Sequence, residues 1–392
     1  MTTLQRPMAM PQFLVILTLL CTLLLQGRVV AEDSAPRSSV QTTMREFFQA
    51  LTMAFPWSLD DQQFQAPEHR QHILEALRSL AQHAGQLETH GQDLPHSFGF
   101  LRRALARSAH DAAQRYEQEK YQQARFLLQG LTENCFACHA RLPNVQGFDL
   151  GKRFLEETRV DRLPVPQRFK LEVATRQFDT ALHTCEALLR SPGTPAADLW
   201  LMGIFEDYLK IIIRVRNDFP RAITTLEQFL TRPDVPAALR DQLVSWVQAL
   251  KELKSHGALD DKTLAHARTL IETGQRRNRF PTDYQGFVHF VVASSLLHRL
   301  LATPPADNST LAEVYYLLGL TETSISRMSW QTEAPFFLET AIRLDPTSAV
   351  AAKAYDVLNT HILTEYTGSL GMQVPREVQE NLEDLRRLRG GS

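Results

Sequence analysis

Residues 121–143 read YQQARFLLQGLTENCFACHARLP. Tyr121, Ala124, Leu127, Leu128 and Leu131 recur at spacings of three and four, which places them on one face of an α-helix. That helix, expected over about 113–140, carries Cys135, Cys138 and His139 in its final turn, and Pro143 stops it. The same cadence extends in both directions from this stretch.

Upstream, helices are expected over about 40–54 (Val40, Met44, Phe47, Phe48, Leu51), 67–90 (Ile73, Leu74, Leu77, Leu80, Leu87) and 94–112 (Phe98, Leu101, Leu105). Pro56 ends the first and Pro67 opens the second. Four amphipathic helices joined by short loops predict an antiparallel bundle over residues 40–150. Gly151, Pro164 and Pro166 mark residues 151–166 as a linker.

Downstream, residues 167–306 read as helical hairpins, with helices over about 168–190, 196–215, 220–231, 236–254, 260–274 and 283–301. Residues 307–392 end in an Arg- and Glu-rich amphipathic helix over 376–389 that reads as a solvated face. Strand signals are nearly absent. The fold class is therefore all-α, an N-terminal four-helix bundle followed by a C-terminal, solenoid-like array of helices.

The N-terminus stands apart. Arg6 precedes the apolar run Phe13–Leu25, and Val29 and Ala31 sit at the −3 and −1 positions of a cleavage site before Glu32. Residues 1–31 read as a secretory signal peptide, followed by a polar leader over 32–39. Its removal leaves 40 basic and 44 acidic residues, a formal net charge of −4. That balance gives no basic excess for nucleic acid, and no later apolar run is long enough for a stable membrane span. The expected compartment is the periplasm.

Three cysteines remain after cleavage, which is not a disulfide framework. Cys185 lies on an apolar helix face and reads as a buried, inert thiol. Cys135 and Cys138 differ, because His139 follows at once. Cys-x-x-Cys-His is the attachment signature of c-type haem. Two thiols three residues apart reach two porphyrin vinyl groups, and the adjoining imidazole is carried under the iron. A thioredoxin-like redox pair needs a strand-to-helix context, a zinc site needs a second ligand pair, and a disulfide leaves His139 unexplained. The expected cofactor is one covalent haem c, with Cys135 and Cys138 as thioether anchors and His139 as proximal iron ligand. Attachment outside the cytoplasm agrees with the separate export signal.

Four helices with this motif closing the last resemble cytochrome c-prime and its six-coordinate relatives. The resemblance covers about residues 40–142, roughly a quarter of the chain, and its specific part is Cys135, Cys138 and His139 with Arg141 shortly after. Leu142-Pro143 and the long helical extension depart from that pattern. The resemblance implies a distal haem side facing the first helix, where Met44 offers a soft sixth ligand; the alternative is that Met44 packs with Phe47, Phe48 and Leu51. Met53 falls on another side of that helix. His83, His90, His96 and His110 read more simply as surface or satisfied histidines.

Residues 307–392 resemble tetratricopeptide repeats. Leu318-Gly319 follows an aromatic pair, and the helix through Phe337 and Ala341 closes at Asp345-Pro346. Glu322 stands where that signature has Tyr. Phe178, Ala181 and Leu182 share a related cadence, as do Phe219, Ala222 and Ile223.

No nucleophile elbow, phosphate loop or paired catalytic carboxylates emerge. The reading is an exported mono-haem c-type cytochrome, an electron carrier before an enzyme, whose C-terminal helical region docks a redox protein partner; an enzymatic role such as peroxide reduction at an open haem position stays open. The alternatives are a five-coordinate haem protein that binds or senses a gas, and a haem-bearing assembly scaffold.

Overall fold

Short polar side chains and prolines set where the helices begin. Asp60 accepts from the backbone N–H groups of Gln62 and Gln63, Asp218 from Arg221, Thr263 from His266, Asp307 from Thr310 and Ser348 from Ala351. Each satisfies a donor left over in a first helical turn, worth about 1 kcal/mol. Pro195, Pro236 and Pro375 stand at N-cap positions, where the missing N–H costs nothing.

The computed structural model describes residues 39–90, 97–140, 149–158, 160–257, 259, 263–280, 283–326, 332–368 and 371–390. The expected signal peptide, nearly all of the polar leader, His96, Arg141, Leu142 and Pro143 lie outside the described residues. Among those described, no helix is long and apolar enough to cross a membrane.

The chain is all-α, and consecutive helices pack on one another. The N-terminal part contains α1 (Ser39–Ala54), α2 (Asp61–Gln65), α3 (Arg70–His90), α4 (Ser97–Glu117) and α5 (Tyr121–His139). A 3-10 turn, Phe55–Leu59, links α1 to α2. Direction alternates along the long helices. Glu46 near the start of α1 faces His83 near the end of α3 at 3.5 Å, and Arg70 at the start of α3 meets Glu119 just past α4 at 3.0 Å. The start of α1 and the ends of α3 and α5 therefore share one end of the stack. Arg125 and Gln129 of α5 both donate to the Ser58 carbonyl, at 2.6 and 2.8 Å, and fix the opposite end.

The sequence places the break between the third and fourth helices near 112, whereas the turn lies at 118–120, with Glu119 at φ 62°. Residues 151–166, expected as a linker, hold α6 (Asp149–Glu157) and a 3-10 turn, Val160–Arg162. Phe154 of α6 stacks edge-on against Phe48 and Phe55, with ring centroids 5.6 and 6.3 Å apart. The first core therefore draws in Phe154, Leu163 and Leu171.

The rest of the chain continues through α7 (Val165–Ala174), α8 (Phe178–Arg190), α9 (Ala196–Leu201) and α10 (Ile204–Ile211), which runs on as a π turn, Ile212–Arg216. Then come α11 (Phe219–Leu230), α12 (Ala237–Ser255), α13 (Leu264–Arg277), α14 (Phe287–Ala302), α15 (Asn308–Ile325), α16 (Ala334–Leu344), α17 (Ala349–Glu365) and α18 (Arg376–Leu388). A minimal antiparallel hairpin, β1 (Thr367–Gly368) with β2 (Gly371–Met372), separates the last two helices. Two stretches expected as single helices are divided. Left-handed residues Arg176 (φ 60°) and Gly203 (φ 67°) turn the chain between α7 and α8 and between α9 and α10.

Helix α5 belongs to two cores. Leu128 and Leu131 pack into the N-terminal one, whereas Phe136 and Ala140 just past the helix pack into the larger core that runs to Leu385. The cysteine motif thus sits on the element that joins both.

Candidate functional site

Side chains at i, i+3 and i+4 share one helix face. The regular last turns of α5 therefore put Cys135, Cys138 and His139 on one side of that helix. Neither cysteine is in a disulfide. Cys135 is buried, and burial pushes its thiol up to about 12. Cys138 is half-buried.

His139 is buried, and its Nδ1 has no hydrogen-bond partner. Burial pushes the imidazole down to about 4, and the Arg176 charge adds to this; the Val173 and Ala174 carbonyls oppose it. His139 is therefore neutral at pH 7, the state in which an imidazole nitrogen binds a metal. Arg176 stands in the α7–α8 turn beside both His139 and Cys138; burial lowers its pKa and the nearby thiol raises it. The motif face thus looks onto the end of α7 and one cation.

Met44 is half-buried and packs against the first core. It lies near the start of α1, the end of the stack that also carries the end of α5. His83 is committed to Gln86, at 3.0 Å, and to Glu46. His110 and Met53 are exposed. Cys185 is fully buried in the larger core, which raises its thiol pKa well above the ordinary value. Among the described residues, no three His, Cys, Asp or Glu side chains gather into a cation cage.

A c-type haem needs two reduced thiols three residues apart and one neutral imidazole beside them. Cys135, Cys138 and His139 match that donor set, and the buried His139 ring leaves Nδ1 without a hydrogen-bond partner.

The opposite face of α5 holds what sequence reasoning missed. Glu133, Phe136, Ala137 and Ala140 line a cleft of about 610 Å³ that α7, α10 and α15 complete. Lys170 pairs with Glu133 and with Asp207 (3.7 Å), Lys210 with Asp207 (3.1 Å) and Arg214 with Glu322 (3.1 Å). Glu206 is buried among them, and burial raises its carboxyl to about 7. These residues come from segments up to 189 positions apart, from Glu133 to Glu322, so no local spacing marks them. The one hint is Glu322, which interrupts the repeat-like pattern where Tyr belongs.

The chain matches no family model, no curated protein and no solved structure.

Proposed function

We propose that this chain is an exported c-type cytochrome that carries one covalent haem and transfers electrons in the periplasm. The observation that carries the reading is the face of α5 that brings together Cys135 and Cys138, neither in a disulfide, and the buried imidazole of His139, whose Nδ1 has no hydrogen-bond partner. Cys135 and Cys138 anchor the group, and His139 gives a nitrogen to its iron. When bound, the haem supplies a one-electron couple whose potential the protein tunes by ligand, charge and burial.

The chain's own residues then set the conditions. The first core holds α5 rigid, and the two hydrogen bonds to the Ser58 carbonyl fix its position against the turn after α1. Arg176 places a positive charge beside the motif, which favours the electron-rich, reduced state. Met44 lies on the helix that would face the iron's sixth position. The stacked pairs α13 to α17 support a repeat-like array on which a redox protein docks, since such arrays present extended surfaces.

Absorption spectra of the oxidised and reduced protein, produced in a host that exports it and attaches haem, test this reading. The sharp visible bands of a reduced c-type haem are expected. Their absence from correctly exported, helical protein contradicts it.

A second reading follows from the packing of Met44 against the first core. With its thioether held there, Met44 would give no ligand to a haem anchored at Cys135 and Cys138, and the group would then supply a site for a small gas. Rapid CO binding by the reduced form distinguishes it from simple electron transfer.

A further inference from the structure

The cleft behind α5 is separate from the attachment face. At 100° per residue, Glu133, Phe136, Ala137 and Ala140 centre nearly half a turn away from Cys135, Cys138 and His139. Its volume of about 610 Å³ falls within the range of small-molecule sites. Its rim is apolar and open: Phe126 is 76% exposed, Leu201 74% and Met202 50%. Three large apolar side chains exposed around one depression are an unusual concentration for a surface.

The floor is polar and uneven in charge. Lys170, Lys210 and Arg214 are each matched by carboxylates of Glu133, Asp207 and Glu322. Glu206 is left over. It is 4% exposed, lines the cleft, and its Oε2 has no hydrogen-bond partner. The Gln242 amide comes near enough to favour the charged carboxylate but does not reach hydrogen-bond geometry, and it brings no charge. Gly203, at φ 67°, leaves the approach to that oxygen open: a Cβ there would stand 3.9 Å from it. A buried acceptor without a donor is costly, and a ligand that brings the donor recovers that cost.

We propose that the cleft binds a small organic cation, an ammonium or guanidinium group on an apolar body, with the charge at Glu206 and the body against Phe126, Leu201 and Met202. The three cations are each already neutralised by a carboxylate, so they leave no net positive charge for an anionic ligand. A neutral ligand satisfies the rim and leaves the carboxylate uncompensated. The site does not depend on the haem, so it is testable whether or not the chain carries one.

Calorimetric titration of the full chain at pH 8 with hexylammonium, 1-hexanol and hexanoate tests the proposal. Hexylammonium is expected to bind saturably at one site, with the alcohol and the carboxylate weaker by about tenfold or more, a difference of ~1.4 kcal/mol. Glu206→Gln keeps the shape of the side chain and is expected to lower affinity for hexylammonium by at least about tenfold. Phe126→Ser, at an exposed position, is expected to weaken hexylammonium more than methylammonium. Binding is also expected to weaken from pH 8 to pH 6, as Glu206, flanked by Asp207 and Lys210, takes up a proton. No saturable heat with hexylammonium overturns the proposal. So does equal affinity for all three probes, or unchanged affinity in a folded Glu206→Gln. Binding of a lysine-rich peptide without binding of hexylammonium also overturns it, since that outcome marks a protein-docking surface. If Glu206→Gln does not fold, the three-probe comparison on the unaltered chain and the Phe126→Ser result decide.

Discussion

Arg214 and Glu322 lie 108 residues apart in the chain and meet as a buried ion pair of 3.1 Å, with the Ser294 hydroxyl donating to the same carboxylate oxygen at 2.7 Å. The pair ties the π turn after α10 to α14 and α15. Removing one partner strands the other charge away from water, a loss of about 3–5 kcal/mol. Arg214→Met is expected to lose that much in urea unfolding, and Arg214→Met with Glu322→Leu is expected to recover most of it. A double variant as unstable as the single one contradicts the assignment.

Close helix crossings give a second expectation. A Cβ at Gly286 would stand 2.1 Å from the Gly274 carbonyl oxygen and 2.7 Å from its carbon, and backbone cannot swing aside. A Cβ at Gly319 would stand 2.5 Å from Leu338 Cγ, a side-chain atom rather than backbone. Gly286→Ala is expected to cost more than roughly 3 kcal/mol and Gly319→Ala about 1–3 kcal/mol. Thermal unfolding of both variants checks the order, and the reverse order contradicts it.

Gly319 shows how far the sequence is legible. Leu318-Gly319 stands out in the sequence only as part of a repeat-like pattern, and the fold shows that Gly319 lies where α15 and α16 pack together. The all-α class and most helix starts follow from apolar spacing and proline, both local signals. The turn at Arg176 does not. Thr175-Arg176-Gln177 contains no Gly or Pro, and Arg176 takes φ 60° where the Arg176 and Gln177 N–H groups bond back to the Val173 and Glu172 carbonyls at 2.9 and 2.8 Å. The hairpin at 367–372 is too short to show alternation. The cysteine motif is legible because its chemistry lies within five residues. The cleft is not, because Lys170, Glu206, Arg214 and Glu322 meet only through the fold.

Glu206 links stability to pH. Burial raises its carboxyl from the ordinary 4.5 to about 7, so the folded state holds a proton that the unfolded state releases. The contribution is fully present below pH 4.5 and is lost as pH rises through about 7, a change of roughly 3 kcal/mol. Glu206→Gln cannot ionise. Its stability relative to the unaltered protein is expected to climb between pH 4.5 and 8, read from urea midpoints at each pH. A difference that stays flat over that window contradicts the burial of this carboxyl.

The sixth iron position is tested at Met44. With the thioether bound, Met44→Ala is expected to convert the reduced spectrum to a high-spin form that takes up CO. Superimposable spectra, with only a packing loss of about 1–2 kcal/mol, favour the open-site reading instead.

The most direct measurement is the intact mass of the exported chain after acid denaturation and solvent extraction. Haem held only by coordination leaves under these conditions, while thioether-linked haem stays. We expect one haem mass on the polypeptide, mapped to the peptide holding Cys135 and Cys138 and absent from the Cys135→Ala, Cys138→Ala double variant. A chain of unmodified mass, with those two thiols free or bridged to each other, contradicts the account.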